Sequence, residues 1–174
     1  MKMKALSIGL VLMLVLCACT ASSEPVQYTH PTGLRICMPE GFEVMEAEGF
    51  LGGYQNRDLV VTMVMAEELY ESLANVGIDP DMTLEEYGQL VLDAYGIEGT
   101  GGTSAHGTPY IRYEREIEGV KAVYYAYLYR NDVAFWTITL MCAAEDAETM
   151  EEQFSLWAST VEIPAEAVTE PYTP

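Results

Sequence analysis

Apolar and polar positions alternate most regularly between residues 110 and 142, YIRYEREIEGVKAVYYAYLYRNDVAFWTITLMC. β-Branched and aromatic residues fill this stretch, and Glu118-Gly119 and Asn131-Asp132 interrupt it where two tight turns belong. The pattern predicts three antiparallel strands. In the middle strand Ala122, Tyr124, Ala126 and Leu128 oppose Val123, Tyr125, Tyr127 and Tyr129. In the last, Val133, Phe135, Thr137, Thr139 and Met141 oppose Ala134, Trp136, Ile138, Leu140 and Cys142. Neither of these strands has a charged face, so both belong inside a sheet covered on two sides. The first strand turns Ile111, Tyr113 and Ile117 inward and Arg112, Glu114 and Glu116 outward, which places it nearer an edge.

The flanking segments extend this sheet or cover it. Leu34, Ile36 and Met38 share one face of a short strand that Pro39 ends, because proline donates no ladder hydrogen bond. Residues 50–55 form a weak strand whose Gly52 and Gly53 permit a bulge or close packing. Residues 59–65 are apolar on both faces, as an interior strand is. Residues 67–80 read as a connection with one helical turn around Leu69-Tyr70, broken by Gly77 and Asp79-Pro80. Thr83-Leu84-Glu85-Glu86 then matches a capping box and opens a helix with Leu84, Tyr87, Leu90, Val91 and Ala94 as its apolar stripe. Gly96 stops it, and Gly88 inside it costs up to ~1 kcal/mol against alanine. Residues 99–107, GTGGTSAHG, read as a flexible surface loop. A second helix over residues 147–159, with Asp146 as N-cap, aligns Met150, Phe154, Trp157 and Ala158. Residues 164–174 form a polar, proline-containing tail without a packing signal. The order of strands, helix, hairpin strands and helix predicts an α+β fold: a mostly antiparallel β-sheet covered by helices.

Several of these features resemble the PsbP family, extrinsic proteins of the photosynthetic oxygen-evolving complex, and the small bacterial lipoproteins that share its fold. They are Gly33-Leu34-Arg35-Ile36-Cys37-Met38-Pro39-Glu40-Gly41-Phe42, the helix start Thr83-Leu84-Glu85-Glu86-Tyr87, the three strands of residues 110–142, and the closing helix with Phe154 and Trp157. The resemblance spans about residues 28–163 and implies an α/β/α sandwich acting as an accessory or interaction module. It brings no catalytic motif with it, and fold alone does not transmit function.

The N-terminus changes the picture of where this domain sits. Met1-Lys2-Met3-Lys4 is a short positive region, followed by an apolar run from Ala5 to Ala18. That run is shorter than the ~20 residues needed to cross the bilayer as a helix. It ends in Leu16-Cys17-Ala18-Cys19, which has the form of a bacterial lipobox: an aliphatic residue, a small residue before the cut, then the cysteine that takes the lipid. Cleavage before Cys17 would put Leu16 at the cut and fits less well. The expected organisation is therefore a signal peptide over 1–18, lipidated Cys19 heading a tether over 19–27, a single domain over 28–163 and a tail over 164–174. The membrane is then a partner through the anchor, and the domain faces the extracytoplasmic side.

Charge narrows the partners further. The chain carries 27 acidic residues against 8 basic ones, a formal net charge of −19. Such a balance argues against nucleic acid and against close adhesion to anionic headgroups. The apolar fraction of 50% argues against disorder.

Candidate chemistry is sparse. Cys37 and Cys142 both fall in strands outside the cytoplasm, where they either pair as a disulfide or stay separate buried thiols. His30 and His106 are far apart in sequence, and Ser104 near His106 is the only local nucleophile–base pair. The glycines of residues 99–104 follow a helix and lack a lysine, so they do not form a P-loop. Asp79, Asp81, Glu85 and Glu86 are bunched without the spacing of an EF-hand, and two of them sit where a helix N-terminus favours acids. No cofactor or metal is expected.

Tyrosine is the unusual residue: there are 12. Tyr125, Tyr127 and Tyr129 share a face, with Trp136 across the strand pair. Either they form an exposed aromatic platform for a glycan, a peptidoglycan stem or a protein, or they pack under a helix with their hydroxyls at its margin. The favoured functional reading is a membrane-tethered accessory or interaction module, without catalytic activity, meeting an envelope protein partner. A binder of a small ligand or cell-envelope fragment in a sheet–helix pocket comes second, and a hydrolase third.

Overall fold

The computed structural model describes residues 24–117 and 119–168. The signal peptide and Cys19 lie outside the described residues, as do Glu118 of the first hairpin turn and the end of the tail from residue 169.

Twelve elements occur among the described residues. They are β1 (Val26–Thr29), β2 (Arg35–Met38), β3 (Glu43–Met45), β4 (Gly52–Asn56), β5 (Val61–Leu69), α1 (Tyr70–Asn75), α2 (Leu84–Tyr95), β6 (Gly99–Thr103), β7 (Pro109–Ile117), β8 (Val120–Arg130), β9 (Ala134–Ala143) and α3 (Ala147–Ala158). Seven strands make one antiparallel sheet in the order β3-β4-β5-β9-β8-β7-β6, and β1 and β2 make a separate antiparallel pair. The fold is α+β, an antiparallel sheet with helices on both faces.

Strand alternation decides what each face buries. Val123, Tyr125 and Tyr127 of β8 join Trp136, Ile138, Leu140 and Cys142 of β9 and Met63 and Met65 of β5 on one face. That face is closed by Phe154, Trp157 and Ala158 of α3, and by Leu34, Ile36 and Met38 beside them. On the opposite face Phe135, Ala126, Leu128 and Ile111 pack against Leu73 of α1 and Tyr87 and Leu92 of α2. Each fully buried large side chain contributes about 1.5–3 kcal/mol of transfer free energy, so two covered faces give the chain two cores in one sheet.

The turns explain why the strands meet in this register. Asn131 accepts from the backbone N–H groups of Val133 and Ala134 at 2.9 and 2.8 Å, and Trp136 comes to lie opposite Tyr129. Helix α2 starts on the complete capping box: the Thr83 hydroxyl accepts from the Glu86 N–H at 3.2 Å, and the Glu86 carboxylate from the Thr83 N–H at 2.8 Å. Its buried residues are Tyr87, Gly88 and Leu92, while Ala94 is exposed. Leu84, Leu90 and Val91 pack half-buried beside Tyr87, so the expected stripe holds except at Ala94 and gains Gly88 and Leu92. A Cβ on Gly88 would stand 2.8 Å from both Ile111 Cγ2 and Leu128 Cδ1. The helix lies close to the sheet because this position has no side chain.

Three segments depart from the sequence expectation. Residues 99–103 are not a loop but the edge strand β6, hydrogen-bonded to β7. Their glycines allow it, because a Cβ on Gly99 would stand 2.8 Å from the Arg112 carbonyl oxygen and from Leu92. Strand β5 begins at Val61 and runs on to Leu69, because Asn56 organises the preceding turn by accepting from the N–H groups of Asp58 and Leu59. Val60 in that turn is exposed and takes a φ of 52°, a conformation that β-branched residues rarely adopt. The connection after β5 does carry its expected helical turn, as the six-residue helix α1. The start of the tail is fastened as well: Asn131 donates to the Pro164 carbonyl at 2.8 Å, and the Val168 N–H donates to the Glu67 carboxylate at 3.0 Å.

Gly53 offers a direct test of the sheet packing. A Cβ at this position would fall on the carbonyl oxygen of Met63 in the paired strand. Gly53→Ala should cost roughly 2 kcal/mol or more, well beyond a surface substitution. Urea denaturation checks it, and an unchanged midpoint would show that β4 does not lie against β5 as described.

Candidate functional site

The tyrosine face is closed. Tyr125 and Tyr127 are each 1% exposed and Trp136 is fully buried. Tyr125 packs edge-on to Phe154 at 5.7 Å, and the Tyr129 hydroxyl donates to the Ala158 carbonyl at 2.7 Å. The three tyrosines and Trp136 thus form the floor beneath α3, and this face is not an aromatic platform open to solvent. Burial holds the phenols of Tyr125, Tyr127 and Tyr129 above the usual range, so all three stay neutral at physiological pH.

At one margin this floor reaches the surface. A groove of about 320 Å³ lies between α3 and the turn joining β6 to β7, lined by Ser104, Ala105, Tyr110, Tyr127, Glu148, Glu151, Glu152 and Ser155. The α3 side supplies three exposed glutamates at spacings of three and four, which place them on one helix face. The turn is held in place from both ends. The Ser104 hydroxyl accepts from the Thr108 N–H, and the Ser155 hydroxyl accepts from the His106 N–H, each at 3.2 Å. The rings of Tyr110 and Tyr127, 5.7 Å apart, form the base.

Behind the groove, Arg112 lies over the Tyr125 ring at 5.7 Å and donates to its hydroxyl at 3.4 Å. That hydroxyl donates to Glu151 at 3.3 Å. Arg112 is also paired with Glu114 at 3.0 Å. The arginine is therefore engaged behind the wall of glutamates.

The other residues singled out in the sequence do not assemble into a reaction centre. Cys37 and Cys142 are free thiols. In β2 Ile36 and Met38 enter the core, so Cys37 between them faces the other way, whereas Cys142 is inside the core. Bridging them would require turning β2 over. Burial pushes the Cys142 thiol up to about 11, which leaves it protonated and unreactive. The Ser104 hydroxyl is occupied in closing its turn. Glu86 belongs to the capping box, and Asp79 accepts from the Asp81 N–H. Among the described residues no three His, Cys, Asp or Glu side chains gather to hold a metal ion.

His30 is buried, at 1% exposed. Its Nδ1 lies 2.9 Å from the Thr32 hydroxyl and accepts from the Thr32 N–H at 3.2 Å, and its ring meets Tyr54 edge-on at 5.4 Å. The following Pro31-Thr32-Gly33 turn folds the ring inward, and no sequence pattern announces that.

Burial lowers the His30 pKa from 6.5 to about 4. The fold favours the neutral ring, so between these values the unfolded chain binds the extra proton. The contribution of His30 is complete above about pH 6.5, falls as pH drops, and levels off near pH 4. Relative to a His30→Phe variant, the parent should lose on the order of 2 kcal/mol across that window. An NMR titration midpoint near 6.5 for this ring would contradict the enclosed site.

No family model matches the chain, and comparison with curated protein sequences finds no match. Solved structures do resemble it. One from Bacteroides thetaiotaomicron superposes with a TM-score of 0.50 at 11% identity, covering 83% of this chain and 49% of that one. The cyanobacterial PsbP protein CyanoP of Synechocystis gives a TM-score of 0.45 at 14% identity, covering 87% of this chain and 99% of that one. LpqN of Mycobacterium tuberculosis, described as involved in cell envelope biogenesis, gives 0.45 at 11% identity over 80% of this chain and 90% of its own. At these identities the likeness is one of fold alone.

Proposed function

We propose that the protein is a non-enzymatic accessory or interaction module, held on the extracytoplasmic side of the cell membrane by a lipid on Cys19. The observation that carries this reading is the N-terminal order: two lysines, an apolar run, and Leu16-Cys17-Ala18-Cys19. Among the described residues no helix is long and apolar enough to cross a membrane. Strand β1 begins at Val26, so only residues 20–25 separate the proposed anchor from the folded domain. Fully extended, that segment spans roughly 20 Å, which keeps the domain beside the headgroups. A chain with 27 acidic residues against 8 basic ones is repelled by anionic lipid, so the anchor, and not adhesion, does the holding.

The non-enzymatic part rests on the state of the reactive groups. Cys142 is sealed in the core as a neutral thiol, the Ser104 hydroxyl closes a turn, and His30 is enclosed beside Thr32 and Tyr54. An accessory role needs a surface that recognises something, and an envelope protein is the partner that fits the location. The groove beside α3 favours a second reading alongside it, in which a ligand or envelope fragment is bound between sheet and helix.

Membrane partition tests the anchor. Cys19→Ser should move the protein from the membrane fraction to the soluble one, or leave it with an unprocessed signal. A variant that follows the parent into the detergent phase would overturn the lipidation of Cys19.

A further inference from the structure

The groove beside α3 has a composition that selects its occupant. Its upper wall is the exposed face of Glu148, Glu151 and Glu152, its base is the two rings of Tyr110 and Tyr127, and Ser104 and Ser155 line it too. We infer that it binds an alkylammonium group, the end of an aliphatic amine or of a lysine side chain. The inference rests on the reading of the protein as a binding module and names the chemistry its groove recognises.

Three observations converge on that chemistry. The first is an unpartnered hydroxyl. Tyr127 is 1% exposed and lines the groove, yet its hydroxyl has no hydrogen-bond partner among the described residues. Burial first, and then the nearby Tyr110, Tyr125 and Glu151, raise its pKa, so it stays neutral. Its neighbours Tyr125 and Tyr129 on the same strand face both have partners for theirs. Open toward the groove, its oxygen can accept a hydrogen bond from an ammonium, which has only donors to offer.

The second is charge. Three carboxylates border the groove, and Arg112 beside Tyr125 is already committed to Tyr125 and Glu114. The field at the mouth is negative and uncompensated by any lining residue. An anion is repelled there, and a neutral ligand leaves the field unused.

The third is shape. The glutamates do not converge as metal ligands do, since no group of three acidic, His or Cys side chains among the described residues is close enough to hold an ion. A spread of carboxylates above aromatic rings suits a larger, softer cation. The methylene stem lies against the half-buried ring of Tyr110, and the ammonium sits among the carboxylates and hydroxyls. A volume of about 320 Å³ accommodates a chain of several methylenes.

Titration calorimetry on the detergent-solubilised full chain at low salt tests the inference with three probes. They are 1,5-diaminopentane, Nα-acetyl-lysine methylamide, and 1-pentanol as the uncharged control. Both amines should bind and the alcohol should not. Equal binding of the two amines identifies a lysine side chain as sufficient, and binding of the diamine alone identifies a free amine as the source. The variant Glu148→Gln/Glu151→Gln/Glu152→Gln keeps the hydrogen-bonding shape and should weaken amine binding at least about tenfold. Tyr127→Phe keeps the ring and should weaken it about threefold or more, with an unchanged thermal midpoint. Calcium should not displace the amine. Amine binding no stronger than that of pentanol, a triple variant with the parent's affinity, or displacement by calcium would each overturn the inference. Such a failure leaves the anchor untouched, because that reading stands or falls on the partition of Cys19→Ser.

Discussion

The contact between α3 and the β8–β9 pair is the constraint on which the rest of the molecule depends. Strands β8 and β9 have no charged face, so neither can be left against water. Helices α1 and α2 cover Phe135, Ala126, Leu128 and Ile111, and only α3 and the β1–β2 pair remain for the other side. Phe154 and Trp157 seat on Tyr125 and Phe42, respectively, at 5.7 and 5.6 Å. Once α3 is in place, the segment that leaves it pairs Glu162 with Arg35 through backbone hydrogen bonds of 2.8 and 2.9 Å, which ties β2 to the same layer. The closure has costs. Trp136 Nε1 and the Tyr54 hydroxyl are buried without hydrogen-bond partners among the described residues, each worth about 1–3 kcal/mol. Apolar burial on both faces offsets them.

The same contact creates the groove. Helix α3 covers Tyr125 and Tyr129 fully enough to satisfy their hydroxyls, but near its N-terminal half the polar face of the helix overhangs the sheet. The turn after β6 rises to meet it and is pinned to Ser155. What results is a gap with aromatic rings below and carboxylates above. It is a consequence of where a helix with one apolar stripe must stop covering a sheet wider than itself.

How much of this could be read from the chain follows from how local each signal is. The strands β8 and β9 and their turn were legible because alternation and Asn131 act within a few residues. The start of α2 was legible from the capping box for the same reason. Strand β6 was not, because its glycines carry no side-chain pattern and only the neighbouring β7 and Leu92 make a strand of them. The packed start of the tail was missed because its partners, Asn131 and Glu67, lie far away in sequence. The tyrosines and Trp136 were located correctly on one face, but whether that face was open depended on α3 alone. The groove itself was invisible. Glu148, Glu151 and Glu152 read as an ordinary solvated helix face until Ser104 and Tyr110 are brought beneath them.

Removing the anchor of α3 measures the central contact most directly. Phe154 is fully buried and touches both Tyr125 and Trp157, yet it lines neither the groove nor a turn. Phe154→Ala should lower the unfolding free energy in urea by about 3–5 kcal/mol, as large aromatic deletions in a core do. A loss below about 1 kcal/mol would mean that α3 does not close the tyrosine face, and the architecture described here would not hold.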